Sequence, residues 1–202
     1  VVVPDDEAET EAAIMDACAI GQVVLEEMLR GSECSLMALC DGTIAVPLPI
    51  AQDHKRIGEG DLGANTGGMG AYAPVSVTYA LDELSATFIQ PVIGHFARLG
   101  TPYKGVLYAG LMLTKEGPRL LEYNCRFGDP EAQVLLSLIS TDLVEIALAC
   151  VSGTLESVRV QTKPISAVAV VMTAAQYPLT PHIGDQILGV DDAGLYTNIF
   201  HG

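Results

Sequence analysis

From residue 120 onward the chain reads Leu-Leu-Glu-Tyr-Asn-Cys-Arg, an alternation of apolar and polar positions. Successive side chains of a strand point to opposite faces. A strand over residues 119–125 is therefore predicted, with Glu122, Asn124 and Arg126 sharing one face and Leu121, Tyr123 and Cys125 the other. The same reading sets residues 1–3 as the end of a strand, Pro4-Asp5-Asp6 as a turn and N-cap, and residues 7–20 as a helix. That helix carries acidic residues in its first turn, where the helix dipole favours them, and is closed by Gly21. Residues 22–25 read as a short apolar strand, and Arg30-Gly31-Ser32 as a turn. Strands at 33–40 and 43–50 are hairpinned through Asp41-Gly42, a strong short-range hairpin signal. Residues 52–70, rich in glycine and charge, read as a long loop, of the kind that is functional or disordered. A helix follows at 81–99, then a strand at 105–114 and a turn at 115–118 that would set Ala109 and Leu111 near Asn124 and Glu122. Asp129-Pro130 reads as the N-cap and first position of a helix at 131–139. Asp142 with Glu145 forms a capping box for a helix ending near Gly153. A buried-type strand is predicted at 166–173, with loops and short strands beyond. Strands, helices and antiparallel hairpins together indicate a mixed α/β or α+β fold.

Composition narrows what such a chain does. Half of the 202 residues are apolar, enough for a real core. Twenty-five acidic residues against ten basic ones give a formal charge of −15, which repels nucleic acid and anionic lipid as general partners. A small anionic substrate would need a local basic pocket. Five cysteines, an odd count without a Cys-x-x-Cys pair, fit a reducing compartment, and hence a cytoplasmic location, better than a disulfide framework. The longest apolar run, 167–172, is too short to span a bilayer, and no signal peptide is visible. Both ends read as cut from something longer.

Several stretches carry candidate chemistry. Gly63 to Gly70 holds four glycines in eight positions, which either form a surface turn or bring main-chain N–H groups to an anion as a nest. It lacks the Gly-Lys-Ser/Thr ending of a P-loop. Gln52-Asp53-His54-Lys55-Arg56 concentrates basic side chains just upstream, as a solvated face or as part of an anion site. Glu26-Glu27-Met28-Leu29, with Glu33 beyond, reads either as an exposed acidic strand end or as main chain for an adenine edge and a carboxylate for a ribose. Glu122 and Asn124 are hard oxygen ligands of the kind Mg²⁺ takes alongside phosphates, and Arg126 could neutralise a phosphoryl group in transit. Alone, the strand needs no more than a half-buried position with a polar outer face. There is no Cys/His zinc pattern and no nucleophile elbow.

Taken together, Glu26–Leu29 with Glu33, Gln52–Arg56, Asn65-Thr66-Gly67-Gly68-Met69-Gly70-Ala71-Tyr72 and Leu121-Glu122-Tyr123-Asn124-Cys125-Arg126-Phe127-Gly128-Asp129-Pro130-Glu131 resemble the phosphoribosylamine–glycine ligases of the ATP-grasp superfamily. The resemblance covers most of the chain, and its last two motifs are highly specific. It implies an α+β, partial ATP-grasp fold, an antiparallel sheet with flanking helices. It also implies three divisions: 1–29 as the end of the small lobe and hinge, 30–163 as the large lobe, and 164–202 as the start of a C-terminal domain. The implied reaction joins glycine to 5-phosphoribosylamine through a glycyl phosphate at the expense of ATP, with Mg²⁺ or Mn²⁺, in purine biosynthesis. Glu26, Glu27, Met28 and Leu29 would contact adenine, Glu33 the ribose, and Arg56 and Asn65 the phosphates. Glu122 and Asn124 would bind metal, Arg126 would steady the acyl phosphate, and Asp129 would orient Arg126 or the glycine amine. Further purine-pathway domains in the parent protein are compatible with this family. The family's small-lobe Gly-Lys-Gly lysine precedes the first residue here, and the connection at 18–23 is shorter than the family's loop. Two alternatives are another ATP-grasp carboxylate–amine ligase and a nucleotide-binding fragment without turnover.

Overall fold

The computed structural model describes residues 2–4 and 6–202. The chain divides into two compact units, Val1–Arg30 and Gly31–Gly202. In the first, helix α1 (Glu7–Ile20) has the predicted bounds. The Asp6 side chain accepts the Glu9 N–H at 2.8 Å, and Gly21 N–H closes the last turn on Ala17 O. Val1 and Asp5 lie outside the described residues. The strand predicted at 22–25 does not form, since residues 22–30 are irregular, and the described part of the one predicted at 1–3, residues 2 and 3, is irregular too. A strand needs a partner ladder for its main-chain groups, and among the described residues of this unit there is none.

The second unit runs β1 (Ser32–Asp41), β2 (Ala45–Pro47), β3 (Gln52–Gly58), β4 (Leu62–Ala73), α2 (Leu81–Leu84), a π-helical turn (Ser85–Ile89), α3 (Gln90–Arg98), β5 (Lys104–Thr114), β6 (Gly117–Asn124), α4 (Glu131–Leu138), α5 (Leu143–Ser152), β7 (Ala167–Val170) and α6 (Val190–Gly194). Two antiparallel sheets result, of order β2-β1-β5-β6 and β3-β4-β7. The Asp41-Gly42 hairpin forms as predicted, but its second strand stops at Pro47, because Pro47 and Pro49 have no N–H for a ladder. The helix predicted at 81–99 contains the π turn, where Gln90 N–H reaches back to Ser85 O just before Pro91. A proline inside a helix removes one hydrogen bond and crowds the preceding turn. The strand predicted at 166–173 shortens to β7 and lies at a sheet edge, with Val168 and Val170 exposed rather than buried.

β1 is buried on both faces, and this places the site. Cys34, Leu36, Ala38 and Cys40 face one core with Leu107, Ala109 and Leu111 of β5 and Leu84, Ile89 and Ile93 of the helices. Met37 and Leu39 face a second core with Tyr108, Ala71, Ala73 and the apolar sides of α4 and α5. Each such fully buried aliphatic side chain contributes roughly 1.5–3 kcal/mol. Glu33 and Ser35 lie on the same face as Met37, nearer the start of the strand, where the second core gives way to polar groups.

Residues 52–70 require a correction. They form no loop but a hairpin, β3–β4, and β4 is paired on its other side with β7. Glycine has weak strand propensity, yet here it permits close approach. A Cβ at Gly70 would meet Ala169 O at 2.8 Å, and one at Gly68 (φ +132°) would meet Pro130 Cδ at 2.5 Å. The β3–β4 ladder jumps from His54↔Gly70 to Arg56↔Asn65, so residues 66–69 bulge out opposite Lys55. Thr66 braces the bulge, its hydroxyl donating to Lys55 O at 2.8 Å and accepting Gly68 N–H at 3.0 Å.

Candidate active site

The site is built on the polar end of one face of the four-stranded sheet. In β6, Glu122 and Asn124 share this face as predicted, and the Asn124 amide donates to Glu122 Oε1 at 2.9 Å. Their partners on β5 differ from the expectation. Glu122 pairs with Gly110 and Asn124 with Tyr108, because a bulge between Gly110 and Leu111 takes up one extra β6 residue. Such a bulge re-aims the strand beyond it. Ser35 of β1 lies opposite Gly110, so Ser35, Gly110 and Glu122 form one row across the sheet. Gly110 leaves the middle of that row open: a Cβ there would already touch Tyr108 and Glu122.

β3 supplies the cation. Alternation sends Asp53 and Lys55 to one side of the strand, and Lys55 Nζ lies 3.4 Å from Glu33 Oε2 and 3.9 Å from Asp53 Oδ2. Burial works against the Lys55 charge, but Asp53, Glu33 and Glu122 outweigh it and hold its pKa above the ordinary value. Burial likewise raises the Asp53 carboxyl; Lys55 opposes that rise, while Glu131 and Glu33 add to it. Behind Asp53, Glu131 is buried at 2% exposure and accepts hydrogen bonds from Ser35 Oγ at 2.9 Å and Tyr108 Oη at 3.1 Å. Burial raises the Tyr108 phenol well above its usual range, with the Ser35 hydrogen bond opposing and the Glu131 and Asp53 charges adding.

The residues singled out from sequence fall into groups. Glu33, Glu122 and Asn124 belong to the same sheet face, with Lys55 beside them. Arg56 points elsewhere: its guanidinium is exposed and donates to Gly63 O at 2.8 Å within the hairpin. Asn65 is exposed on the same hairpin, paired through its backbone with Arg56. The nest reading of the glycine run is narrowed, since Gly67 N–H is taken by Tyr177 Oη at 3.1 Å and Gly68 N–H by Thr66. Arg126 lies beyond the end of β6, so it does not continue that strand's face, and its guanidinium donates to Phe127 O at 3.0 Å. Asp129 does not cap α4; Pro130 occupies the cap position without a side-chain bond, and Asp129 accepts from Gln133 Nε2 at 2.8 Å. Glu26, Glu27 and Met28 are exposed and Leu29 half-buried in the irregular segment of the first unit. Sequence reasoning missed Ser35, Asp53, Tyr108 and Glu131. The one available signal was the alternation Asp53–Lys55 ahead of a glycine run; nothing local marks Glu131 as buried.

The donor set fits a hard divalent cation. Glu122 and Asn124 offer oxygen atoms from adjacent positions of one face, and no group of three or more His, Cys, Asp or Glu able to hold a metal exists among the described residues. Mg²⁺ typically takes one or two protein ligands plus water and phosphate oxygens. No helix among the described residues is long and apolar enough to cross a membrane.

The two antiparallel sheets with flanking helices are those of a partial ATP-grasp domain. The family model that matches, over residues 1–132, is that of the phosphoribosylglycinamide synthetase ATP-grasp (A) domain, and the chain belongs to that family. It is 46% identical over 211 residues to a phosphoribosylamine–glycine ligase of Mesorhizobium japonicum, covering 100% of this chain and 49% of that protein. It is 47% identical over 183 residues to the trifunctional purine biosynthetic protein adenosine-3 of Drosophila pseudoobscura pseudoobscura, covering 89% of this chain and 13% of that one. The crystal structure of phosphoribosylamine–glycine ligase from Thermotoga maritima matches with a TM-score of 0.70 at 37% identity, covering 78% of this chain and 40% of that chain. The chain thus spans about half the length of the bacterial relative.

Proposed function

We propose that this chain is the part of a phosphoribosylamine–glycine ligase that holds the metal and phosphate groups during ATP-dependent joining of glycine to 5-phosphoribosylamine. The observation that carries the reading is the grouping of Glu33, Glu122 and Asn124 on one sheet face with Lys55 beside them. In this reading residues 1–29 end the small lobe, 30–163 form the large lobe and 164–202 begin a further domain. Glu26–Leu29 take the adenine edge and Glu33 the ribose, which requires Glu33 to release Lys55.

Glycine's carboxylate oxygen attacks the terminal phosphorus of ATP, the bond to ADP breaks, and a glycyl phosphate forms. The amine of 5-phosphoribosylamine then attacks the acyl carbon, phosphate leaves with the C–O bonding pair, and the amine proton passes to solvent or phosphate. Lys55, held protonated, supplies the fixed positive charge beside the transferring group. Arg126 reaches the acyl phosphate by giving up Phe127 O, and Asp129 orients the glycine amine. Arg56 and Asn65, at the hairpin, take outer phosphate oxygens. Glu122 and Asn124 would hold Mg²⁺ or Mn²⁺, which would supply charge neutralisation at the phosphates. The match to a trifunctional purine protein supports further purine-pathway domains in the parent.

The test is ADP release by the protein carrying this chain. Release that needs both glycine and 5-phosphoribosylamine supports the reading. Release driven by a different carboxylate or amine makes the protein another carboxylate–amine ligase. Heat on titration with Mg-ATP but no ADP release makes it a binding module.

A further inference from the structure

Glu131 is a fully buried acidic side chain near the site, and the proposed chemistry leaves it without a task. A carboxylate removed from water is tolerated only where donors replace its hydration. Here both donors are hydroxyls from the sheet floor: Ser35 Oγ of β1 at 2.9 Å and Tyr108 Oη of β5 at 3.1 Å reach the same oxygen, Oε1. The two hydroxyls lie 3.0 Å apart. Glu131 is the first residue of α4, a helix whose start has no side-chain cap. Its two partners share rungs with the metal-ligand pair, because Tyr108 lies opposite Asn124 and Ser35 opposite Gly110, itself opposite Glu122.

The segment 125–130, which joins Asn124 to α4, is held at the same point. Gly128 packs so closely on the Glu131 carboxylate that no Cβ would fit, and Gly68 presses on Pro130 from β4. Glycine at both positions lets the segment sit against its anchor.

We propose that Glu131 is a positioning residue: its carboxylate ties the start of α4 to β1 and β5 and so fixes residues 125–130, with Arg126 and Asp129, beside Glu122 and Asn124. The anchor stands on geometry alone; its consequence for turnover rests on the function proposed above.

Amide hydrogen exchange of the 202-residue chain tests the anchor without any ligand. Glu131→Ala, checked as folded by circular dichroism, should speed exchange of the Ala132 N–H, which holds the segment through Gly128 O at 2.8 Å, roughly 100-fold, as loss of two hydrogen bonds to a charged acceptor implies. Exchange in β1 and β5 away from Ser35 and Tyr108 should change little. Glu131→Gln, which keeps an acceptor oxygen, should restore most of the protection. Tyr108→Phe removes one donor and should fall between them, which keeps the test decisive if Glu131→Ala does not fold. Unchanged exchange of the Ala132 N–H in Glu131→Ala, or in Tyr108→Phe if Glu131→Ala does not fold, overturns the proposal, as does equal loss in Glu131→Gln and Glu131→Ala. In the turnover assay Glu131→Ala should lower kcat about tenfold or more while KM for ATP stays within about threefold, with partial recovery in Glu131→Gln. A wild type that fails to use glycine and 5-phosphoribosylamine refutes the proposed function, while the exchange result still decides the anchor.

Discussion

Asp41 offers a sharp test of how this fold is held. Its carboxylate is buried at 2% exposure and accepts four hydrogen bonds. Oδ1 takes Thr43 N at 2.9 Å, Thr43 Oγ1 at 3.0 Å and Ile44 N at 2.8 Å; Oδ2 takes Leu155 N at 3.0 Å. One side chain therefore closes the β1–β2 turn and ties it to the short helical turn after α5. In Asp41→Ala the buried Leu155 N–H is stranded at about 1–3 kcal/mol, and each half-buried turn donor, which regains water, costs about 0.5–1 kcal/mol. The expected loss is about 3–5 kcal/mol, a large share of the stability of a typical domain. Asp41→Asn keeps an oxygen for one set of donors but turns an N–H₂ on the other, and should lose about 2 kcal/mol. Urea unfolding followed by circular dichroism measures this as a shift in midpoint at constant slope.

The pH dependence follows from the same contacts. Burial would raise the Asp41 carboxyl, but the amides of Ile44, Thr43 and Leu155 and the Thr43 hydroxyl outweigh it, and its pKa is lowered. A group with a lowered folded pKa contributes its full stability above its unfolded value, about 3.9, and loses it as pH falls through the folded value. The wild-type and Asp41→Asn stability curves should therefore converge below about pH 4. A loss under about 1 kcal/mol for Asp41→Ala at neutral pH, or a gap that stays constant into acid, would refute the reasoning.

Glu122→Ala and Asn124→Ala should each weaken Mn²⁺ binding measured by electron paramagnetic resonance in the presence of ADP, and wild-type binding should be much weaker without nucleotide; equal affinity in both conditions contradicts sparse protein ligation. Gly68→Ala forces a Cβ against Pro130 at a φ of +132° and should lower stability by about 1–3 kcal/mol. Gly21→Ala, where a Cβ meets nothing within 4 Å, should stay within about 0.5 kcal/mol by thermal melting. Iodoacetamide at pH 8 should modify the exposed Cys18 and Cys125 of the native protein, followed by mass spectrometry. Cys34 and Cys40, whose thiols burial pushes up to about 11 and about 12, should react only after unfolding.

Where the deciding interaction is local, the sequence alone determined the structure. Asp6 and Gly21 bound α1, Asp142 caps α5 by accepting Val144 and Glu145 N–H, and Gly153 ends that helix in the left-handed region, because each acts within four residues. The two-residue period of a strand likewise put Glu122 and Asn124 on one face before any partner was known. Tertiary structure decided the rest. It turned a glycine-rich stretch of low strand propensity into β4, since β3, β7 and Pro130 need backbone where side chains would collide. It set the one-residue bulge in β6, brought Lys55 rather than Arg56 beside Glu33, and buried Glu131 against hydroxyls 96 and 23 residues away in the chain. A buried charge is favourable only once its distant donors are in place. No local pattern around Glu131 could announce that.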